Sequence, residues 1–293
     1  MATAAQWIQG ARPRTLPAAI APVLIGTAAA FEMDAFRPLN AVLAALVALL
    51  LQVGVNYAND YSDGIRGTDE NRVGPLRLVG SGAAGAEHVK YAAFGAFGLA
   101  MLLGLVLVVM TQTWWLLLVG VGCIMAAWGY TGGKNPYGYM GLGEVFVFVF
   151  FGLVATLGTT YTQAGQVSLP AVIGAIGTGL IACALLMANN VRDIPTDTKA
   201  GKRTLAVRLG DKHARESYVL MLAVAILLVV ILAPTRPWML IVLLLIPASL
   251  MPAWLMINGR KRKSLIPVLK QTGLINLGYA ALFSLGLFLS HGL

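Results

Sequence analysis

Long apolar blocks, separated by short stretches that hold most of the charge, run the length of this chain. A helix needs about 20 mainly apolar residues to cross a bilayer, within a range of about 17–25. By that measure the sequence predicts nine spans: Leu16–Phe31, Leu39–Ala58, Tyr91–Met110, Trp114–Tyr130, Val145–Gln163, Leu169–Ala188, Ser217–Ala233, Trp238–Ile257 and Leu274–Ser290. The first is short and the seventh marginal. Pro17, Pro22, Pro247 and Pro252 fall inside the first and eighth blocks and predict kinks, which neighbouring helices absorb. Composition agrees. Of 293 residues 58% are hydrophobic and 11% charged, where soluble domains carry about 25% charged. A disordered chain would be far less apolar. The expected class is an all-α integral membrane protein with nine transmembrane helices, forming a single membrane domain over 1–293.

The net charge of +9 invites a nucleic-acid partner, so the placement of the charges decides. With the N-terminus inside, nineteen of the twenty-one Lys and Arg residues fall in cytoplasmic segments, leaving only Arg37 and Arg236 outside. Lys and Arg bias sets orientation. One missed span would invert every later loop and destroy that split. The expectation is a cytoplasmic N-terminus, an external C-terminus, a partnership with the lipid bilayer and no nucleic acid. Arg12 and Arg14 before a first apolar block resemble a secretory signal, but eight further spans favour a retained anchor. Cys123 and Cys183 lie inside apolar blocks and define neither a disulfide framework nor a metal site.

Nine of the twelve acidic residues crowd into two long cytoplasmic loops, and none lies near the middle of a span. The second span ends in Asn56-Tyr57-Ala58-Asn59-Asp60-Tyr61-Ser62-Asp63, the sixth in Asn189-Asn190-Val191-Arg192-Asp193-Ile194-Pro195-Thr196-Asp197. Each contains Asn followed by Asp four residues later, so the pair shares one helical face. Four spans separate the two copies, which returns both to the same side of the membrane. That pattern predicts an internal repeat with its site at the interface. Pro195 predicts a helix end near Ile194.

Crowded carboxylates repel unless a cation neutralises them. Magnesium takes one or two carboxylates and fills its shell with water and phosphate oxygens. Arg66, Arg72 and Arg77 follow the first cluster; Lys199, Lys202, Arg203 and Arg208 follow the second. Carboxylates for a bridging metal, with cations for the remaining oxygens, suit a diphosphate. A secondary transporter would instead place ionisable groups near the midplane.

At these two stretches the sequence resembles the UbiA superfamily of intramembrane prenyltransferases, over essentially its whole length. The resemblance implies a nine-helix bundle with catalytic loops at 59–90 and 189–216. It also implies Mg²⁺-dependent transfer of a polyprenyl group from polyprenyl diphosphate to an aromatic acid. Carried over residue by residue, Asn59, Asp60, Asp63, Asp193 and Asp197 are expected to hold metal, with Gly201 closing the second motif. Asp69 joins the four aspartates as a catalytic candidate, because Gly67 stands where the usual first motif has its last Asp. Asn59, Tyr61, Arg66, Arg72, Arg77, Tyr130, Lys134, Glu144, Asn189, Asn190, Lys202, Arg203 and Arg208 are the substrate-binding candidates. The remaining aromatics at span ends, including Tyr137 and Tyr139, read as interfacial anchors. The variant first motif with Gly74-Pro75-Leu76-Arg77, together with Tyr130-Thr131-Gly132-Gly133 and Gly141-Leu142-Gly143-Glu144, resembles the branch acting on 1,4-dihydroxy-2-naphthoate in menaquinone biosynthesis. Another acceptor, such as 4-hydroxybenzoate, is the alternative. A bacterial cell-membrane location with a cytoplasmic site is implied.

Overall fold

The computed structural model describes residues 2–67 and 76–292. A short helix, α1 (Ala4–Gly10), opens the chain on a capping box: Thr3 Oγ1 accepts from the Gln6 amide and Gln6 Oε1 from the Thr3 amide. Nine longer apolar helical segments follow among the described residues: α2 (Pro17–Glu32), α3 (Pro38–Ile65), α4 (Ala86–Thr111), α5 (Leu116–Gly129) and α6 (Gly143–Ala164), then α7 (Leu169–Lys199), α8 (Leu205–Leu232), α9 (Pro237–Ile257) and α10 (Arg262–Ser290).

These overlap the nine expected blocks one for one, and several run longer: α3 to Ile65, α7 to Lys199 and α10 from Arg262. Seven are long and apolar enough to cross a membrane alone. One is α8, the block that looked marginal; it begins at Leu205 and carries the charged Asp211–Glu216 stretch with it. The helical segment before α2 meets it at 49°, and the two qualify only as a bent pair. With 14 residues, α5 reaches only about 21 Å, short of the roughly 30 Å hydrocarbon core. Pro17 starts α2 at its first turn and does not kink it, because that position has no intrahelical partner to lose.

The expected break at Pro195 is absent, and α7 runs on to Lys199. Thr196 and Thr198 return their hydroxyls to the carbonyls of Asp193 and Ile194 at 2.9 and 2.8 Å within the final turns. Asp193 and Asp197 therefore stand one turn apart on one helix.

Packing divides the bundle. The denser core joins α2, α7, α8, α9 and α10 through Ile25, Ile181, Tyr218, Ile226, Met239 and Phe283. Small residues let helices approach where hydrophobic driving force is weak. A Cβ at Gly177 would collide with the Tyr279 ring, and one at Gly152 would lie 2.8 Å from both Ala175 O and Gly179 Cα. In that region α6 loosens into a π-helical segment, Phe148–Val154. A smaller cluster, Ala58, Ala93 and Phe97, ties α3 to α4. In each half the helix carrying the Asn-x-x-x-Asp element packs most extensively on its successor, α3 on α4 and α7 on α8.

Candidate active site

Residues of both halves line one cavity of about 1870 Å³. Its polar end is built by the last turns of α3 and α7. Asn59, Asp63, Asn189, Asn190, Asp193 and Asp197 all line it, together with Arg77, Tyr130, Tyr139, Arg192 and Lys202. Its apolar part follows α3 down to Ala44, about 28 Å along the axis from Asp63, between walls from α4, α5 and α6.

Asp63 is the hub, only 3% exposed. Lys202 Nζ lies 3.0 Å from its Oδ1, Arg77 Nη2 lies 3.6 Å from its Oδ2, and the Tyr139 hydroxyl donates to Oδ1 at 2.6 Å. Burial and the charge of Asp63 push the Tyr139 phenol above its ordinary range. Burial works against the Lys202 charge, but Asp63 and Tyr139 outweigh it and hold the ammonium above its usual value. The Lys202 ammonium also rests 4.4 Å over the Tyr139 ring. On the opposite helix, Arg192 grips Asp193 through two parallel bonds of 2.7 and 2.6 Å. Asn59 Oδ1 accepts the Thr131 hydroxyl at 2.7 Å, and Asn190 Nδ2 donates to Glu144 Oε1 at 2.9 Å.

The other expected site residues are placed differently. Asp60, expected on the metal, is 0% exposed and does not line the cavity. Its two oxygens accept the backbone N–H groups of Leu78 and Val79 at 2.8 and 3.0 Å. That clamp seats the chain where it returns toward α4, and so positions Arg77. Positions three apart on a helix point about 60° apart, so Asp63 can face the cavity while Asp60 faces the returning chain. Arg66 also turns from the cavity and donates to the carbonyls of Thr131 and Gly133, fastening the α5–α6 connection to the end of α3. Tyr61 stacks on Trp128, with ring centroids 5.9 Å apart, and the Lys90 ammonium lies over the Tyr61 ring, 5.8 Å from its centroid. Lys134 and Arg203 are exposed off the cavity, and Arg208 donates to Arg203 O at 3.2 Å. Glu144 is buried behind Asn190 and is not itself on the wall. Asp69 and Arg72 lie outside the described residues.

Two site members were not singled out from sequence. Tyr139 had the look of an interfacial anchor, yet Arg203 N holds its carbonyl at 2.9 Å and turns the hydroxyl onto Asp63. Arg192 stands inside the second motif, and only its adjacency to Asp193 hinted at the pairing.

The donor set at the polar end is oxygen throughout, carboxylates and carboxamides from two helices. Among the described residues no three His, Cys, Asp or Glu side chains converge to cage an ion by themselves. Such a set fits a hard divalent cation that keeps much of its shell for water and ligand oxygens.

Comparison with known proteins gives the family and the fold. The profile of the UbiA prenyltransferase family matches residues 19–290. The 1,4-dihydroxy-2-naphthoate octaprenyltransferase of Mycobacterium tuberculosis is 53% identical over 280 residues, covering 96% of each chain. The protein of that name from Escherichia coli is 37% identical over 294 residues, covering 97% of this chain and 96% of its own. Among solved structures, a UbiA homolog from Archaeoglobus fulgidus bound to GPP and Mg²⁺ shares the fold at a TM-score of 0.70 and 17% identity, covering 98% of this chain and all of that one. The chain belongs to the UbiA prenyltransferase family.

Proposed function

We propose that this integral membrane prenyltransferase moves a polyprenyl group from its diphosphate to 1,4-dihydroxy-2-naphthoate, releasing diphosphate and carbon dioxide. One observation carries the reading: a single cavity joins a carboxylate- and cation-lined end to an apolar channel about 28 Å long beside α3. A diphosphate with a long hydrocarbon tail has that shape and polarity. The names of the M. tuberculosis and E. coli relatives support the acceptor, and the A. fulgidus structure with GPP and Mg²⁺ supports the metal.

Asp63, Asp193 and Asp197, with the amide oxygens of Asn59 and Asn189, would hold magnesium. When bound, the metal supplies positive charge to the leaving diphosphate. Lys202 and Arg77 supply more from the protein side, and stabilising that developing charge is the largest contribution the site makes. The allylic C–O bond breaks, its electron pair leaving with diphosphate. The ring carbon bearing the carboxylate donates a pair to form the new C–C bond. Loss of carbon dioxide returns a pair to the ring, so aromaticity is restored without a strong base. Tyr130, Tyr137 and Phe146 line the cavity, with Tyr137 and Phe146 stacked at 3.9 Å, and their ring faces shield the developing cation. The site and the N-terminus face the cytoplasm, in keeping with the nineteen-to-two division of basic residues.

The test is transfer by purified protein in lipid nanodiscs, using radiolabelled prenyl diphosphate, magnesium and a panel of aromatic acids. Prenylation of the naphthoate with stoichiometric carbon dioxide is expected. Efficient transfer to 4-hydroxybenzoate with its carboxylate retained would overturn the assignment.

A further inference from the structure

The strap between α1 and α2 turns at Arg12, whose φ of 52° lies in the left-handed region that residues with a Cβ rarely enter. Such backbone persists where its surroundings impose it, often at ligand clamps. Here α3 imposes it. Asn56 Nδ2 donates to Ala11 O at 2.8 Å and to Thr15 Oγ1 at 3.0 Å, and Gln52 Nε2 reaches the same hydroxyl at 3.1 Å. Asn56 precedes Asp63 by two turns, so the strap is pinned about 10 Å deeper along α3 than the aspartate.

Arg12 lines the cavity, and its Nη2 is shut off from solvent with no hydrogen-bond partner among the described residues. Gln271, on α10, also lines the cavity, and its Oε1 is a second buried atom without a partner. Helix α10 packs on the Pro13–Thr15 turn, which brings the two walls together. Arg14, Lys263 and Lys270 add positive charge to the same lining. The only carboxylates on the described wall are Asp63, Asp193 and Asp197.

A guanidinium donor and an amide acceptor, both buried and both unmet, together call for a ligand offering an anion and a hydroxyl. We propose that Arg12 and Gln271, framed by Arg14, Lys263 and Lys270, form a second anion subsite that receives the carboxylate and adjacent hydroxyl of a hydroxyaromatic acid. The inference rests on the function proposed above and assigns the acceptor its own anchor. Two anionic substrates repel, and separate cationic walls let both be held at once.

Calorimetric binding in nanodiscs, without turnover, tests this with 1-hydroxy-2-naphthoate, 1-naphthol and a magnesium-loaded prenyl thiodiphosphate. The wild type is expected to prefer the acid over the naphthol. Arg12→Gly removes the side chain while keeping a backbone that tolerates positive φ. It should weaken acid binding by about 10- to 100-fold, the range of a lost charge-assisted hydrogen bond, and leave the thiodiphosphate within about twofold. Gln271→Leu should erode the contribution of the hydroxyl in the same assay. Unchanged acid binding in Arg12→Gly, or a loss confined to the thiodiphosphate, overturns the subsite while leaving the proposed reaction standing. A wild type that binds the thiodiphosphate but does not prefer the acid overturns the acceptor reading, and the subsite with it.

Discussion

Lys202 and Asp63 meet at 3.0 Å across 139 positions of sequence, so the loop after α7 closes onto the end of α3. The pair is buried, and its ammonium is held in the charged form. Removing one partner of a buried ion pair costs up to about 3–5 kcal/mol, and Asp63 keeps Arg77 and Tyr139, so the loss falls below that bound. Lys202→Met is therefore expected to lower the melting temperature and to raise KM for the prenyl diphosphate by about tenfold or more. A thermal melt together with initial rates at varied diphosphate checks both; unchanged values in the two measurements would remove Lys202 from the site.

Asp63, Asp193 and Asp197 face one cavity from two helices. Replacing any one by Asn keeps the shape and removes the charge proposed to hold the metal. Each variant should lose about 10²-fold or more in kcat, the scale of one lost transition-state contact. The radiolabel assay at millimolar magnesium measures it. Near wild-type turnover in Asp63→Asn would count against the metal assignment.

Asp60 should behave differently from its neighbours. In Asp60→Asn one carboxylate oxygen becomes an N–H donor facing the Leu78 or Val79 amide. A buried donor left unmet costs about 1–3 kcal/mol. The expected outcome is a lower melting temperature with an unaltered magnesium half-saturation in whatever activity persists. A shifted magnesium dependence at full thermal stability would restore Asp60 to the metal.

Orientation gives a prediction at the two ends of the bundle. Lys199 ends α7 and His291 follows α10. In a cysteine-free background, cysteines at these positions should react with an impermeant maleimide from opposite sides of the membrane. Labelling from one side only would defeat the nine-span topology.

Much of this was legible in the sequence, and the exceptions have physical reasons. The spans and the duplicated Asn-x-x-x-Asp element could be read because apolar length and helical spacing are local properties. Asp60 could not be separated from Asp63 by residue type: which acid faces the cavity depends on where the chain after α3 returns, and Leu78 and Val79 fix that. Arg66 looked like a diphosphate ligand because it follows the acidic cluster, yet the carbonyls it meets lie 65 and 67 positions away. Tyr139 was indistinguishable from an interfacial aromatic until the Arg203 backbone turned it inward. Pro195 misled in another way: it removes one bond, the one Val191 O would accept, and the helix runs on past it for a single further turn to Lys199.

The shortness of α5 has a kinetic meaning. At about 21 Å it covers only part of the bilayer's apolar depth, beside the channel it helps to line, with Leu118 and Met125 exposed on its outer surface. A tail in that channel is nearly in contact with lipid, and both the prenyl donor and the prenylated product are themselves membrane solutes. The effective concentration is thus a mole fraction in two dimensions. Adding inert phospholipid at fixed bulk substrate should slow the reaction, as dilution does in solution, while adding water should not.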